Sequence, residues 1–88
     1  MNIIISGAAG FMGREVAKQA EQAGVQIAFG VDAVAASLGF PVFPSFEAAP
    51  PCKDAVIIDF SRPEVLEGML TYAKANGLPL IVATTGYT

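Results

Sequence analysis

Ile3-Ile4-Ile5-Ser6 is a short β-branched run without polar alternation, and it breaks into a turn with glycine at every third position: Gly7, Gly10 and Gly13. A helical pattern follows at once. A buried strand that passes through a glycine turn directly into a helix opens a strand–helix–strand unit, and such units build parallel sheets. Glycine lets that turn bend tightly, approach a phosphate closely and pack its helix near the strand.

The periodicity of the apolar residues extends this beginning along the chain. Asn2 to Ser6 reads as the first strand. Gly10 to about Ala23 reads as a helix, with Met12, Val16, Ala20 and Ala23 on one face and Gly24 as its C-terminal cap. Val25 to Val31 reads as the second strand, ending at Asp32. Residues 32–53 hold four of the six prolines. They read as a loop, with a short extended piece at Pro41-Val42-Phe43 and a helical turn near Phe46-Glu47-Ala48. Asp54 to Phe60 is the third strand. Ser61-Arg62-Pro63-Glu64 has the spacing of a capping box and starts a second helix. Val65, Leu66, Met69, Leu70 and Ala73 supply its apolar stripe, and Gly77 with Pro79 ends it. Leu80 to Ala83 is a fourth strand. This order predicts an α/β fold, a Rossmann-like parallel sheet with flanking helices, in one small domain.

Composition narrows the functional classes. Five basic residues and a net charge of -3 give no nucleic-acid footprint. No apolar stretch reaches membrane-spanning length, and the chain enters its first strand without a basic leader. Cys52 is the single cysteine, which excludes an internal disulfide and fits a reducing compartment. The chain contains no histidine, so histidine metal sites and Ser-His or Cys-His nucleophile pairs are excluded within it. No metal site is expected, and a proton donor, where one is needed, is a carboxylic acid, a lysine, a tyrosine, water or a residue outside this segment.

In an open parallel sheet, ligands bind at the carboxyl ends of the strands. Three polar or glycine-rich clusters fall there: Gly7 to Gly13, Asp59 to Ser61, and Thr84 to Gly86. Asp32 joins them, 19 residues beyond Gly13 at the end of the next strand. The turn is Gly-x-x-Gly-x-x-Gly rather than Gly-x-Gly-x-x-Gly, so its context carries the assignment. Turn amides and the helix start receive a pyrophosphate. The Asp32 carboxylate accepts hydrogen bonds from adenosine ribose hydroxyls. A carboxylate repels a 2′-phosphate, and Ala33-Val34-Ala35-Ala36-Ser37 offers no arginine to neutralise one. NADH is therefore favoured, with NADPH second. Phe60, at the mouth of the sheet, is placed to pack on the nicotinamide end. The competing readings are structural: a turn that needs glycine for packing alone, a solvated strand-end acid at Asp32, a helix cap at Ser61 and Glu64, and a β-turn start at Thr84-Thr85-Gly86.

Three segments, in order, resemble the amino-terminal part of the 4-hydroxy-tetrahydrodipicolinate (dihydrodipicolinate) reductase family. They are Gly7-Ala8-Ala9-Gly10-Phe11-Met12-Gly13-Arg14-Glu15, Ile58-Asp59-Phe60-Ser61-Arg62-Pro63-Glu64 and Ala83-Thr84-Thr85-Gly86-Tyr87-Thr88. The resemblance implies hydride transfer from NADH or NADPH to a cyclic imine in diaminopimelate and lysine biosynthesis, by a cytoplasmic enzyme that is usually a homotetramer. By position, Gly7 to Met12 would hold the pyrophosphate and Asp32 the adenosine ribose. Ala83, Thr84 and Thr85 would line the nicotinamide, with Thr85 also facing the substrate carboxylate. Many members carry arginine where this chain has Phe11, and some carry it where this chain has Ala33; both differences favour NADH. Many also carry glycine in place of Ala83. The family's histidine and lysine motif, its substrate loop and its tetramer-forming sheet have no counterpart in these residues. The resemblance thus implies a partial nucleotide-binding domain, residues 1–88, that holds no catalytic residue and is inactive alone. Another NAD(P)-dependent dehydrogenase, or a non-catalytic NAD(H)-sensing domain, is the alternative.

Overall fold

The structure is a computed structural model, and it describes residues 2–34 and 36–83. Five strands form one sheet: β1 (Asn2–Ser6), β2 (Gln26–Val31), β3 (Val42–Phe43), β4 (Ala55–Asp59) and β5 (Leu80–Val82). Their order is β3-β2-β1-β4-β5, and every pairing is parallel. Two helices flank it, α1 (Phe11–Gln22) and α2 (Leu66–Asn76), the second led in by a 3-10 turn at Pro63–Val65. This is the Rossmann-like α/β arrangement that the sequence predicts, with Val42-Phe43 as a true edge strand.

Side chains on successive strand residues point to opposite faces, and β1 shows why its run must be apolar throughout. Ile4 joins Phe29, Ile57, Met69 and Tyr72 on one face. Ile3 and Ile5 join Ala8 and Ala20 on the other. A helix covers each face, so β1 is buried on both sides. The chain moves outward from β1 through β2 to β3, then returns to the far side of β1 as β4. The reversal leaves a crevice above the carboxyl ends of β1 and β4, where such sheets take their ligands.

The helix ends follow the sequence, but the helix faces differ from it. Gly24 (φ 76°) closes α1, with Val25 N–H donating to Ala20 C=O at 2.8 Å. Gly77 (φ 65°) closes α2 in the same way, with Leu78 N–H donating to Ala73 C=O at 2.8 Å. The inward face of α1 is Gly13, Val16, Ala17 and Ala20, whereas Met12 and Ala23 are exposed. That of α2 is Met69, Tyr72 and Ala73, while Leu66 and Leu70 face outward. The 3-10 turn before α2 rotates the stripe relative to a helix begun at Ser61. The N-cap of that turn is Arg62 rather than Ser61, and Arg62 makes no side-chain cap hydrogen bond. Phe46 to Ala48 form a hydrogen-bonded turn, not a helix, with Ala49 N–H donating to Phe46 C=O at 3.2 Å.

Candidate functional site

The glycine turn is held by its own backbone. Gly7 takes a left-handed conformation (φ 86°), and its N–H donates to Val31 C=O at 2.7 Å. A Cβ on Gly13 would lie 2.2 Å from Gly7 O and 2.9 Å from Ala8 Cα. Only glycine therefore lets α1 start this close to β1. Gly10 differs, because a Cβ there would make ordinary contact at 3.5 Å. Gly10 caps α1 with extended backbone, no side chain caps the helix, and its first turn carries no acid. The amides of that turn are the donors that a helix start leaves for an anion.

Asp32 ties the turn to the end of β2. Its Oδ2 accepts from Ala9 N–H at 2.9 Å, and its Oδ1 accepts from Val34 N–H at 2.9 Å. Each carboxylate oxygen has a second lone pair, so both can still accept from hydroxyls. Arg14 Nε donates to Ala9 C=O at 3.0 Å and brings a fixed positive charge against the same turn.

A cleft of about 600 Å³ opens beside these groups. Gly7, Ala9, Gly10 and Asp32 form one wall, and Phe60, Arg62 and Glu64 another. The turn after β3, from Pro44 to Glu47, closes the far end. The cleft thus lies over the carboxyl ends of β1, β2, β3 and β4. Open helix-start amides beside a carboxylate with lone pairs to spare give the cleft a polar end that can take an anion and hydroxyls, and the rest of its lining is mostly apolar.

The chain matches the family described as Dihydrodipicolinate reductase, N-terminus, over residues 1–88. It belongs to that family. Among curated relatives, the 4-hydroxy-tetrahydrodipicolinate reductase of Clostridium novyi (strain NT) is 36% identical over 98% of this chain and 34% of its own length. That of Alkaliphilus metalliredigens (strain QYMF) is 40% identical over 99% of this chain and 32% of its own length. That of Lawsonia intracellularis (strain PHE/MN1-00) is 31% identical over the whole chain and 36% of its own length. The chain spans about a third of the length of the relatives it matches. No solved structure matches it significantly.

In this member of the family, the structure brings Gly7, Ala9, Gly10, Asp32 and Phe60 to one cleft. Phe60 is half-buried, packed partly into the cluster under α1. Ala8 is fully buried beneath the turn, and Gly13 is buried against Gly7 and Ala8. Phe11 and Met12 stand on the exposed side of the first helical turn, Phe11 at 77% exposure. Ala83 is half-buried, and its N–H donates to Asp59 C=O at 3.0 Å. Thr84 and Thr85 lie outside the described residues, as does Ala35. Among the described residues, no group of His, Cys, Asp or Glu is placed to hold a metal ion. No helix among them is long and apolar enough to cross a membrane.

Sequence reasoning missed Ser45, Glu47 and Arg62 as cleft residues. Arg62 sits in a segment that reads fully as a helix start. Ser45 and Glu47 reach the cleft only because β3 pairs with β2, and a two-residue strand carries little periodic signal. Gly30 was also missed: a Cβ there would lie 2.5 Å from Ala8 Cβ, so its lack of a side chain seats the glycine turn.

Proposed function

We propose that this chain is the dinucleotide-binding part of a 4-hydroxy-tetrahydrodipicolinate reductase. Such an enzyme moves hydride from a reduced nicotinamide dinucleotide to a cyclic imine on the diaminopimelate route to lysine. The observation that carries the reading is Asp32, whose carboxylate stands in the cleft and accepts from the glycine turn. In this reading the first-turn amides of α1, with Arg14 beside them, hold the pyrophosphate. Asp32 takes the adenosine ribose, and Ala83, Thr84 and Thr85 serve the nicotinamide, Thr85 facing the substrate carboxylate as well. NADH is preferred over NADPH. Asp32, Glu47 and Glu64 outnumber Arg62 around the cleft, and a 2′-phosphate would meet net negative charge there. The parent enzyme is a cytoplasmic homotetramer.

The test is titration of the chain with NADH and NADPH, followed by nicotinamide fluorescence. Asp32→Ala is expected to weaken NADH binding about tenfold, the loss of a charge-assisted hydrogen bond. Ala33→Arg is expected to move the preference toward NADPH. If neither substitution changes the NADH to NADPH ratio, Asp32 does not read the ribose. The chain has no histidine and is expected to bind without turning over the imine; appreciable turnover would overturn that part.

A further inference from the structure

Gly68 lies inside α2, where glycine is about 1 kcal/mol less favourable than alanine. Its φ is not positive, so backbone conformation does not require it. A Cβ at Gly68 would lie 2.6 Å from Glu47 Oε2 and 3.2 Å from Oε1. The space that a side chain would take is filled by the Glu47 carboxylate. Both residues line the same cleft as Asp32.

Position within the cleft gives that carboxylate a task. With the ribose on Asp32, the base of the nucleotide extends away from the glycine turn. It enters the lobe between the Pro44–Glu47 turn and the segment from Arg62 to Gly68. A carboxylate there is purely an acceptor. On the N7 side of position 6, away from the N1–H of a 6-oxopurine, it accepts from the exocyclic amine of a 6-aminopurine and repels the carbonyl oxygen of a 6-oxopurine. We propose that Glu47, seated over Gly68, reads position 6 of the purine base and selects adenine over hypoxanthine. This rests on the dinucleotide reading above.

The probes are NADH and its deaminated analogue, reduced nicotinamide hypoxanthine dinucleotide, each titrated by fluorescence. The chain is expected to bind NADH at least about tenfold more tightly, because the 6-oxo base leaves two acceptors facing each other. Glu47→Gln, whose amide can donate to the oxygen, is expected to shrink the ratio below about threefold. Gly68→Ala displaces the carboxylate and is expected to act in the same direction. Glu67→Gln, at an exposed acid of α2 outside the cleft, leaves the ratio unchanged. Equal affinities in the unmodified chain would overturn the role of Glu47, as would a ratio that survives Glu47→Gln or collapses in Glu67→Gln. If neither dinucleotide binds, the dinucleotide reading itself fails.

Discussion

Two turns carry the chain from a strand into a helix at the carboxyl edge of the sheet, and they are built by opposite means. The turn from β1 to α1 is made of backbone: glycines at 7 and 13 sit where added atoms would collide. The turn from β4 toward α2 is made of side chains. Asp59 is only 1% exposed, and its Oδ1 accepts from Ser61 N–H at 2.8 Å and from Ser61 Oγ–H. The first turn leaves its helix-start amides open to a ligand. The second binds its Ser61 amide and hydroxyl to a buried carboxylate and serves as a wall. Two strand-end aspartates show the same contrast. Asp32 lines the cleft and keeps accepting capacity for hydroxyls, whereas Asp59 is buried and holds the Ser61 amide and hydroxyl.

If the first turn tolerates no added atom, the largest effect belongs there. Gly13→Ala places a methyl group 2.2 Å from Gly7 O, a backbone atom that cannot swing away. The expected loss is about 3 kcal/mol of unfolding free energy, the upper range for overpacking. The urea midpoint reports it, and dinucleotide binding should fall as the turn opens. A loss below about 1 kcal/mol would mean that the turn is looser than its geometry, and the contrast would weaken.

If the second turn tolerates no lost atom, the next effect is at Asp59. Asp59→Ala strips the acceptor from a half-buried Ser61 N–H. It is expected to cost about 2 kcal/mol, the desolvation penalty of an orphaned donor plus the bonds removed. Asp59→Asn keeps one acceptor oxygen and should lose less. Equal losses in the two variants would place the whole effect in charge rather than in hydrogen bonding. Denaturation of both proteins separates these outcomes.

The same contrast explains what was legible in the sequence. Glycine turns announce themselves because steric need leaves one residue type, so Gly7 to Gly13 and the β1–α1 unit could be read directly. The β-branched runs fixed the strands in the same way. Ser61 and Glu64 misled, because a capping-box spacing is satisfied locally on paper while Asp59 takes the Ser61 amide in the fold. The stripe of α2 was misread at Leu66 and Leu70 because the 3-10 entry shifts the phase. Tyr72 replaced them, since a polar tip hides an aromatic core residue from a hydropathy pattern. The bond from Ala9 to Asp32, 23 residues apart, has no local signature. Neither does the seating of Glu47 over Gly68.

The smallest of these effects concerns what anchors the wall turn's helix. Tyr72, on α2, donates its hydroxyl to Pro50 C=O at 2.6 Å. Its ring meets Phe29 edge-on at 6.2 Å and Phe46 at 5.3 Å. It therefore ties α2 to the 44–53 segment that closes the cleft, whereas α1 meets its turn through close backbone packing and the Arg14 bond to Ala9 C=O. Tyr72→Phe keeps the ring packing and removes the bond, for an expected loss of about 1 kcal/mol at neutral pH. The pH dependence gives a second readout. Burial raises the Tyr72 phenol above its ordinary value of 10.0, and electrostatic interaction with the nearby Cys52 adds to the rise. The unfolded chain then releases this proton near pH 10.0 while the folded chain still holds it. Folded protein binds more protons in that window, so stability falls as pH rises through it. The contribution is complete below the unfolded value and is lost as pH passes the folded one. Tyr72→Phe should flatten that alkaline decline. A decline of unchanged slope in the variant would assign it to other groups, and α2 would no longer be tied to the cleft wall through this phenol.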